Sequence, residues 1–236
     1  MTAPIKALFG IIILAGFLGL SQPLCAQEEY KEHLPFLKSF DLAHANHFGT
    51  IVVQGADGRM KPIDTIAHEV LNKVYRKNSY EGMSPNQVVL GMVSAPVVWK
   101  AQPMIAVSHL ELKKILGVAP TAKYAAYRDF FENTPEGAYK LAKHAELANR
   151  KKPAERNLFD KDVLKVDERL NVCFMVYGWH IFRIIPRIDD PQKTWFNPSM
   201  ATTHFPKEEA AQVGRLLQTY FDAIAQSLES GNWSKA

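Results

Sequence analysis

The sequence predicts a mainly α-helical protein of the α+β class, with a small β-hairpin near its N-terminus. Three observations carry that prediction. Phe159, Val163, Val166, Leu170, Cys173 and Tyr177 recur at alternating steps of four and three residues, which puts them on one face of a long helix. Val213, Leu217, Tyr220, Ile224 and Leu228 repeat the pattern near the C-terminus. Between two short extended runs, Gly55-Ala56-Asp57-Gly58 is a tight turn, the sign of a hairpin.

The elements follow in order. Ser39 is expected to cap a short helix through His47, stopped by Gly49, after which Thr50 to Gln54 reads as a strand. Arg59 to Pro62 should return beside it. Asp64 or Thr65 can cap the next helix, with Ile66, Val70, Leu71 and Val74 on its apolar face. Ser84-Pro85 opens a helix that ends before Pro96, because proline favours the first turn and breaks later ones. Met104 to Val107 reads as a short strand, and Ser108 as the cap of a helix closed by Gly117. An aromatic segment, Tyr124 to Phe131, follows. Thr134-Pro135 is expected to start a helix running to about Arg150, ahead of the long seam. Ile181 to Ile185 looks extended, Asp189-Asp190-Pro191 turns, and a last helix begins near Pro206 and ends at Gly231. Glu208 and Glu209 sit in its first turn, where the helix dipole favours acids. No internal repeat or flexible linker interrupts the chain, so one domain is expected over residues 27–236.

Residues 1–26 read as a signal peptide cleaved after Ala26, or an uncleaved N-terminal anchor. Lys6 precedes an apolar run from Ala7 to Leu20, shorter than the roughly 20 residues that span a bilayer. Cys25 lacks the small preceding residue of a lipoprotein signal. Without the leader, 27 basic residues face 24 acidic ones, too even a balance to indicate nucleic-acid binding. Cys173 is then the sole cysteine, so no internal disulfide can form. It is followed by Phe174-Met175-Val176-Tyr177, which is not the C-x-x-C-H attachment site of a c-type cytochrome.

Several groups could carry chemistry. His44 and His47 lie three apart on one side of a helix, with Asp41 a further three residues back, a spacing able to hold a metal or haem iron. Hydrogen-bonded surface histidines are the commoner outcome. His180 lies beside Trp179 and near Met175 and Tyr177, either a haem-contacting pocket or plain core. Arg59 and Lys61 project from the hairpin, and Lys161, Lys165 and Arg169 form an i, i+4, i+8 row. Such cations could meet haem propionates or an acidic partner, although Asp160, Asp162, Asp167 and Glu168 suit a solvated, self-compensated face. Asp167 and Arg169 border the buried seam, and a salt bridge tying the long helix to the hairpin is the leading expectation for them. No G-x-S-x-G, H-E-x-x-H, Walker or dinucleotide-binding glycine pattern occurs.

The order of several short motifs adds a resemblance. His44-Ala45-x-x-Phe48-Gly49, Val53-Gln54 and Gly58-Arg59-Met60-Lys61-Pro62-Ile63-Asp64-Thr65 come first. Pro85-Asn86-Gln87-Val88-Val89-Leu90-Gly91-Met92, Asp129-Phe130-Phe131 and Lys151-Lys152-Pro153-Ala154-Glu155-Arg156-Asn157 follow. Phe159-Asp160-Lys161, Lys165-Val166-Asp167-Glu168-Arg169-Leu170-Asn171 and Met175-Val176-Tyr177 complete the series. In this order they resemble the periplasmic segment of the large fused Ccs or Res type proteins of system II cytochrome c biogenesis. The resemblance implies an extracytoplasmic, inner-membrane-associated component of a cytochrome c synthase. Its partners would be a haem-handling membrane subunit and apocytochrome c, and the haem b would be handled by the complex.

The resemblance further implies a partner-facing or structural role for Arg59, Lys61, Pro62, Asp167, Glu168 and Arg169. It assigns no catalytic residue. The family's tryptophan-rich W-W-D loop has no counterpart, since Trp99, Trp179, Trp195 and Trp233 stand far apart in the sequence. Ser230 to Ala236 resembles a place where family members continue, which suggests a split gene or a truncated product. The alternative expectation is a free-standing periplasmic haem- or metal-binding protein using His44, His47 or His180, and a weaker one is a remnant of a broken gene.

Overall fold

A computed structural model describes residues 30–55, 57–135, 137–187 and 189–234. The leader and its cleavage site lie outside them. Two short helices come first, α1 (Leu34–Lys38) and α2 (Leu42–Gly49). The hairpin β1 (Val52–Gln54) and β2 (Met60–Pro62) follows, antiparallel with Val53 opposite Lys61. Then come α3 (Ile63–Val74), α4 (Pro85–Ser94) and α5 (Pro96–Lys100). β3 (Pro103–Ala106), α6 (Leu110–Leu116) and β4 (Tyr124–Ala126) lead to α7 (Ala142–Arg150) and the long α8 (Leu158–Tyr177). The chain ends with β5 (Ile185–Pro186), β6 (Trp195–Phe196), α9 (Ala201–His204) and α10 (Lys207–Ser230). The fold is thus helix-dominated, with three two-stranded antiparallel sheets among the described residues.

Only the β1–β2 hairpin was legible as a pair. β4 falls within the aromatic segment, where Ala125 and Ala126 are buried and Tyr124 pairs with Ala106. β6 carries no alternating pattern and exists through its pairing with Ile185 and Pro186. Short strands of this kind are specified by what they pack against, not by propensity.

α8 is the axis of the core. Val163, Val166, Leu170 and Cys173 are buried as the seam predicts, while Val176 rather than Tyr177 fills the last deep position. α3 offers Ile63, Ile66, Ala67, Val70, Leu71 and Val74 to the same core, and α4 is buried over nearly its whole length. The largest wholly buried side chain is Trp99, whose indole lies against Gly91 of α4 so closely that no Cβ could stand there.

Four helix starts differ from expectation, three because the expected cap bonds elsewhere and one because the backbone pairs in another way. The Ser39 hydroxyl turns back to the Phe36 carbonyl at 2.6 Å, so Asp41 caps α2 by accepting from the His44 amide at 2.7 Å. The Asp64 carboxylate accepts from Asn86 at 2.9 Å, and α3 starts directly from the extended Pro62. Ser108 donates to Asp162 of α8 at 3.0 Å, leaving His109 to cap α6. After Thr134-Pro135 the chain pairs back on itself through a Phe131–Tyr139 bridge, and Lys140 N–H donates to the Phe130 carbonyl at 2.9 Å. A backbone committed to that pairing cannot be helical, so α7 begins only at Ala142. Ser84 does cap α4, in a capping box with Gln87, a feature worth about 1 kcal/mol. Gly117 and Gly231 end α6 and α10 in the left-handed conformation. Gly49 does not act as a stop through its backbone freedom; it is the last residue of α2, where a Cβ would meet the Asn86 amide nitrogen at 2.7 Å.

Candidate functional site

The residues singled out by the ordered motifs hold the elements together. Asn86, 5% exposed, donates to Asp64 of α3 at 2.9 Å and to Asn46 of α2 at 3.3 Å. Its neighbour Gln87 donates to the Phe40 carbonyl at 2.7 Å. One dipeptide of α4 therefore fixes two helices and the turn before them. The Asn86 amide is not fully met: its Oδ1 is buried without a hydrogen-bond partner, and an unpaired buried polar group costs about 1–3 kcal/mol.

The α7–α8 turn is built the same way. Lys151 Nζ donates to both Asp160 oxygens, at 2.9 and 2.7 Å, and Asn157 and Asp160 form a capping box at the start of α8. Arg156 Nε reaches back to the Ala148 carbonyl at 3.0 Å. The bonded Lys151 ammonium, followed by the Asn157 amide, holds the Asp160 carboxyl below its ordinary pKa.

Gln54 on β1 joins the hairpin to the β5–β6 region. Its side chain accepts from the Trp195 amide at 2.8 Å and donates to the Lys193 carbonyl at 3.2 Å.

Among the candidate cations and acids, the expected salt bridge between hairpin and α8 is not formed. Arg59 faces solvent beside Asp57 at 3.8 Å, and Lys61 pairs with Glu69 of α3 at 2.9 Å. Pro62 is the N-cap of α3. On α8 the three motif residues point to three other places. Asp167 accepts from the Tyr139 hydroxyl at 2.7 Å, Glu168 pairs with Lys73 of α3 at 2.5 Å, and Arg169 Nη1 donates to the Ala106 carbonyl of β3 at 2.5 Å. Three consecutive residues on a helix point about 100° apart, so they cannot serve one partner.

The Lys161, Lys165 and Arg169 row is likewise not a uniform solvated face. Lys165 pairs with Asp162 at 3.3 Å, but Arg169 is only 9% exposed. It lines a cavity of about 460 Å³ with Arg76, Lys113, Lys123, Ser108 and Tyr124. The sequence showed none of this grouping, since its members come from α3's end, β3, α6, β4 and α8.

The histidines do not converge. His44 Nε2 lies 3.1 Å from the Tyr220 hydroxyl, and its ring packs against Tyr220 and Trp233 at 5.8 and 5.2 Å between centroids. Burial lowers its pKa against the opposing pull of Asp41. His47 is exposed, and Asp41 is spent on the helix cap. His180 sits over Phe174, 5.3 Å between centroids, with Ser199 3.3 Å from its Nδ1. Among the described residues no three histidine, cysteine or acidic side chains are grouped to hold a metal ion. Cys173 is buried, which pushes its thiol pKa far up and leaves it an inert core group. No described helix is long and apolar enough to cross a membrane.

No protein-family model matches the chain. A curated protein does: Protein NrfI of Wolinella succinogenes is 37% identical over 196 residues, which cover 81% of this chain and 21% of NrfI. Identity of that extent means a shared fold, and the chain is related to NrfI along a stretch that spans about a fifth of NrfI's length.

Proposed function

We propose that this protein is an extracytoplasmic component of the cytochrome c biogenesis machinery, serving as a docking or scaffold domain for a haem-handling membrane partner. The observation that carries this reading is the 37% identity to NrfI over most of the chain, in agreement with the ordered motifs that resemble system II proteins. The geometry supports a scaffold role. Asn86, Gln87, Lys151, Asp160 and Asp167 are engaged in ties between elements of the fold, and among the described residues no catalytic constellation stands open to a substrate. On this reading the haem b and its attachment chemistry reside in the partner, with apocytochrome c as the substrate of the complex. The domain acts in the periplasm, at the inner membrane.

A tagged copy, expressed in its own host and recovered from gently solubilised membranes, should bring down a protein with haem-binding transmembrane helices. Recovery without any haem-handling protein would overturn the proposal. Haem titration of the purified domain separates the other reading, a free-standing binder. A Soret shift that disappears in the His44→Ala, His47→Ala double variant would establish that reading instead.

A further inference from the structure

The cavity around Arg169 has a composition that a merely structural hollow does not need. Four cationic side chains line it, Arg76, Lys113, Lys123 and Arg169, together with the Ser108 and Tyr124 side chains, and no carboxylate does. Among the described residues none of the four cations forms an ion pair. Lys113 is 9% exposed and donates to the Pro120 carbonyl at 2.8 Å, so its charge is held in place by a neutral acceptor. Arg169 is as buried, and its one protein acceptor is the Ala106 carbonyl.

A guanidinium has five N–H donors, so most of the Arg169 fork is left for another partner. The two acids whose charge acts on Arg169 have other partners of their own. Asp162 accepts from Ser108 at 3.0 Å and pairs with Lys165, and Glu168 pairs with Lys73. Burying one guanidinium beside another is costly, and burial together with Arg76 weakens the hold of Arg169 on its proton, against the opposing pull of Asp162 and Glu168. An anion between the two guanidinium groups would offset part of that cost.

We infer that this cavity is a binding site for a small dianion whose oxyanion groups are clamped between Arg76 and Arg169, with Lys123, Ser108 and Tyr124 at its rim. Guanidinium forks match the planar oxygens of a carboxylate or the oxygens of a phosphate in pairs, which a point charge does not. A volume of about 460 Å³ exceeds what a bare inorganic ion fills and suits a small organic acid or phosphate ester. The inference stands on the cavity's own residues and does not depend on the proposed role in cytochrome c biogenesis.

The test is calorimetric titration of the purified protein with succinate and, separately, with inorganic phosphate, each against sodium chloride at matched ionic strength. Saturable binding of at least one dianion, absent with chloride, is the expected result. The tighter of the two identifies the oxyanion class. Arg76→Ala and Lys123→Ala alter solvent-exposed side chains and should leave the fold intact while weakening binding at least about tenfold each, the usual worth of a charge-assisted hydrogen bond. Arg169→Lys keeps the charge and loses the fork, and should weaken binding without abolishing it. No saturable heat with either dianion, or affinities unchanged in Arg76→Ala and Lys123→Ala, would overturn the inference.

Discussion

Helices α8 and α10 carry the same kind of apolar stripe and meet different fates. α8, of 20 residues, buries seven side chains, including the charged Asp160 and Arg169. α10 is longer, at 24 residues, yet buries only Ile224 and Ser227, while Val213 and Leu217 stay half-exposed and Leu216 is 71% exposed. The difference lies in what surrounds each helix. α8 is enclosed by α3, α4, α7 and β3, whereas α10 meets the body through aromatic contacts, Tyr220 stacked on His44 and Phe48 and Phe221 edge-on to Trp179. Periodicity says which face of a helix seeks cover and nothing about how much cover the rest of the chain supplies.

The contrast can be broken by substitution. Leu170→Ala on α8 should cost about 2–5 kcal/mol, the range for emptying a closed core site, whereas Leu217→Ala on α10 should cost less than about 1 kcal/mol. Urea denaturation of both variants checks this, and equal losses would mean that α10 is as enclosed as α8.

Glycines sharpen the same point with opposite signs. Gly91→Ala places a Cβ inside the Trp99 indole and should destabilise by about 1–3 kcal/mol or more. Gly214→Ala on α10 meets nothing within 4 Å and should stabilise by roughly 0.5–1 kcal/mol through helix propensity. Thermal melts followed by circular dichroism would read both shifts.

Polar ties come next. Tyr139→Phe removes the hydrogen bond to Asp167 and should cost about 1 kcal/mol or somewhat more, as for bonds to charged groups. Asp167→Asn with Tyr139→Phe should then cost little beyond the single change, and a double-mutant cycle measures that coupling.

The smallest effect concerns pH at the α10 contact. His44 has a pKa below its ordinary 6.5, so the folded protein resists its protonation and the unfolded chain binds the extra proton first. The contribution is fully present above about pH 6.5 and declines as pH falls toward the lowered value. Asp41 opposes the shift and His47 adds to it, while Tyr220 and Trp233 supply the burial. Denaturation midpoints between pH 7.5 and 5 should drop less in His44→Gln than in the unaltered protein. The fluorescence of Trp233 against His44 offers a local readout.

Much of the helix content was legible because it rests on local signals. Ser84-Pro85 with Gln87, Gly117, Gly231 and the seam of α8 all work within a few residues of sequence. Two caps depart from expectation because the capping side chain has a distant partner, and Ser39 because a carbonyl three residues back is closer to hand. Ser108 and Asp64 bond to residues 54 and 22 positions away, and sequence spacing is silent about such partners. The candidate site was legible only as a list of charged residues. Arg169 was recognisable as bordering the core, but its company of Arg76, Lys113 and Lys123 comes from elements separated by long stretches of chain.

From the sequence by itself come the helical class, the hairpin, the faces that must be buried and a series of motifs whose order resembles system II proteins, because periodicity, turn chemistry and motif order are properties of the chain. Only the tertiary structure decided that Asp167, Glu168 and Arg169 go to three different partners, that the histidines stay apart and that four cations share one cavity. Those outcomes depend on which elements come to lie side by side, and that is settled by packing the whole core at once.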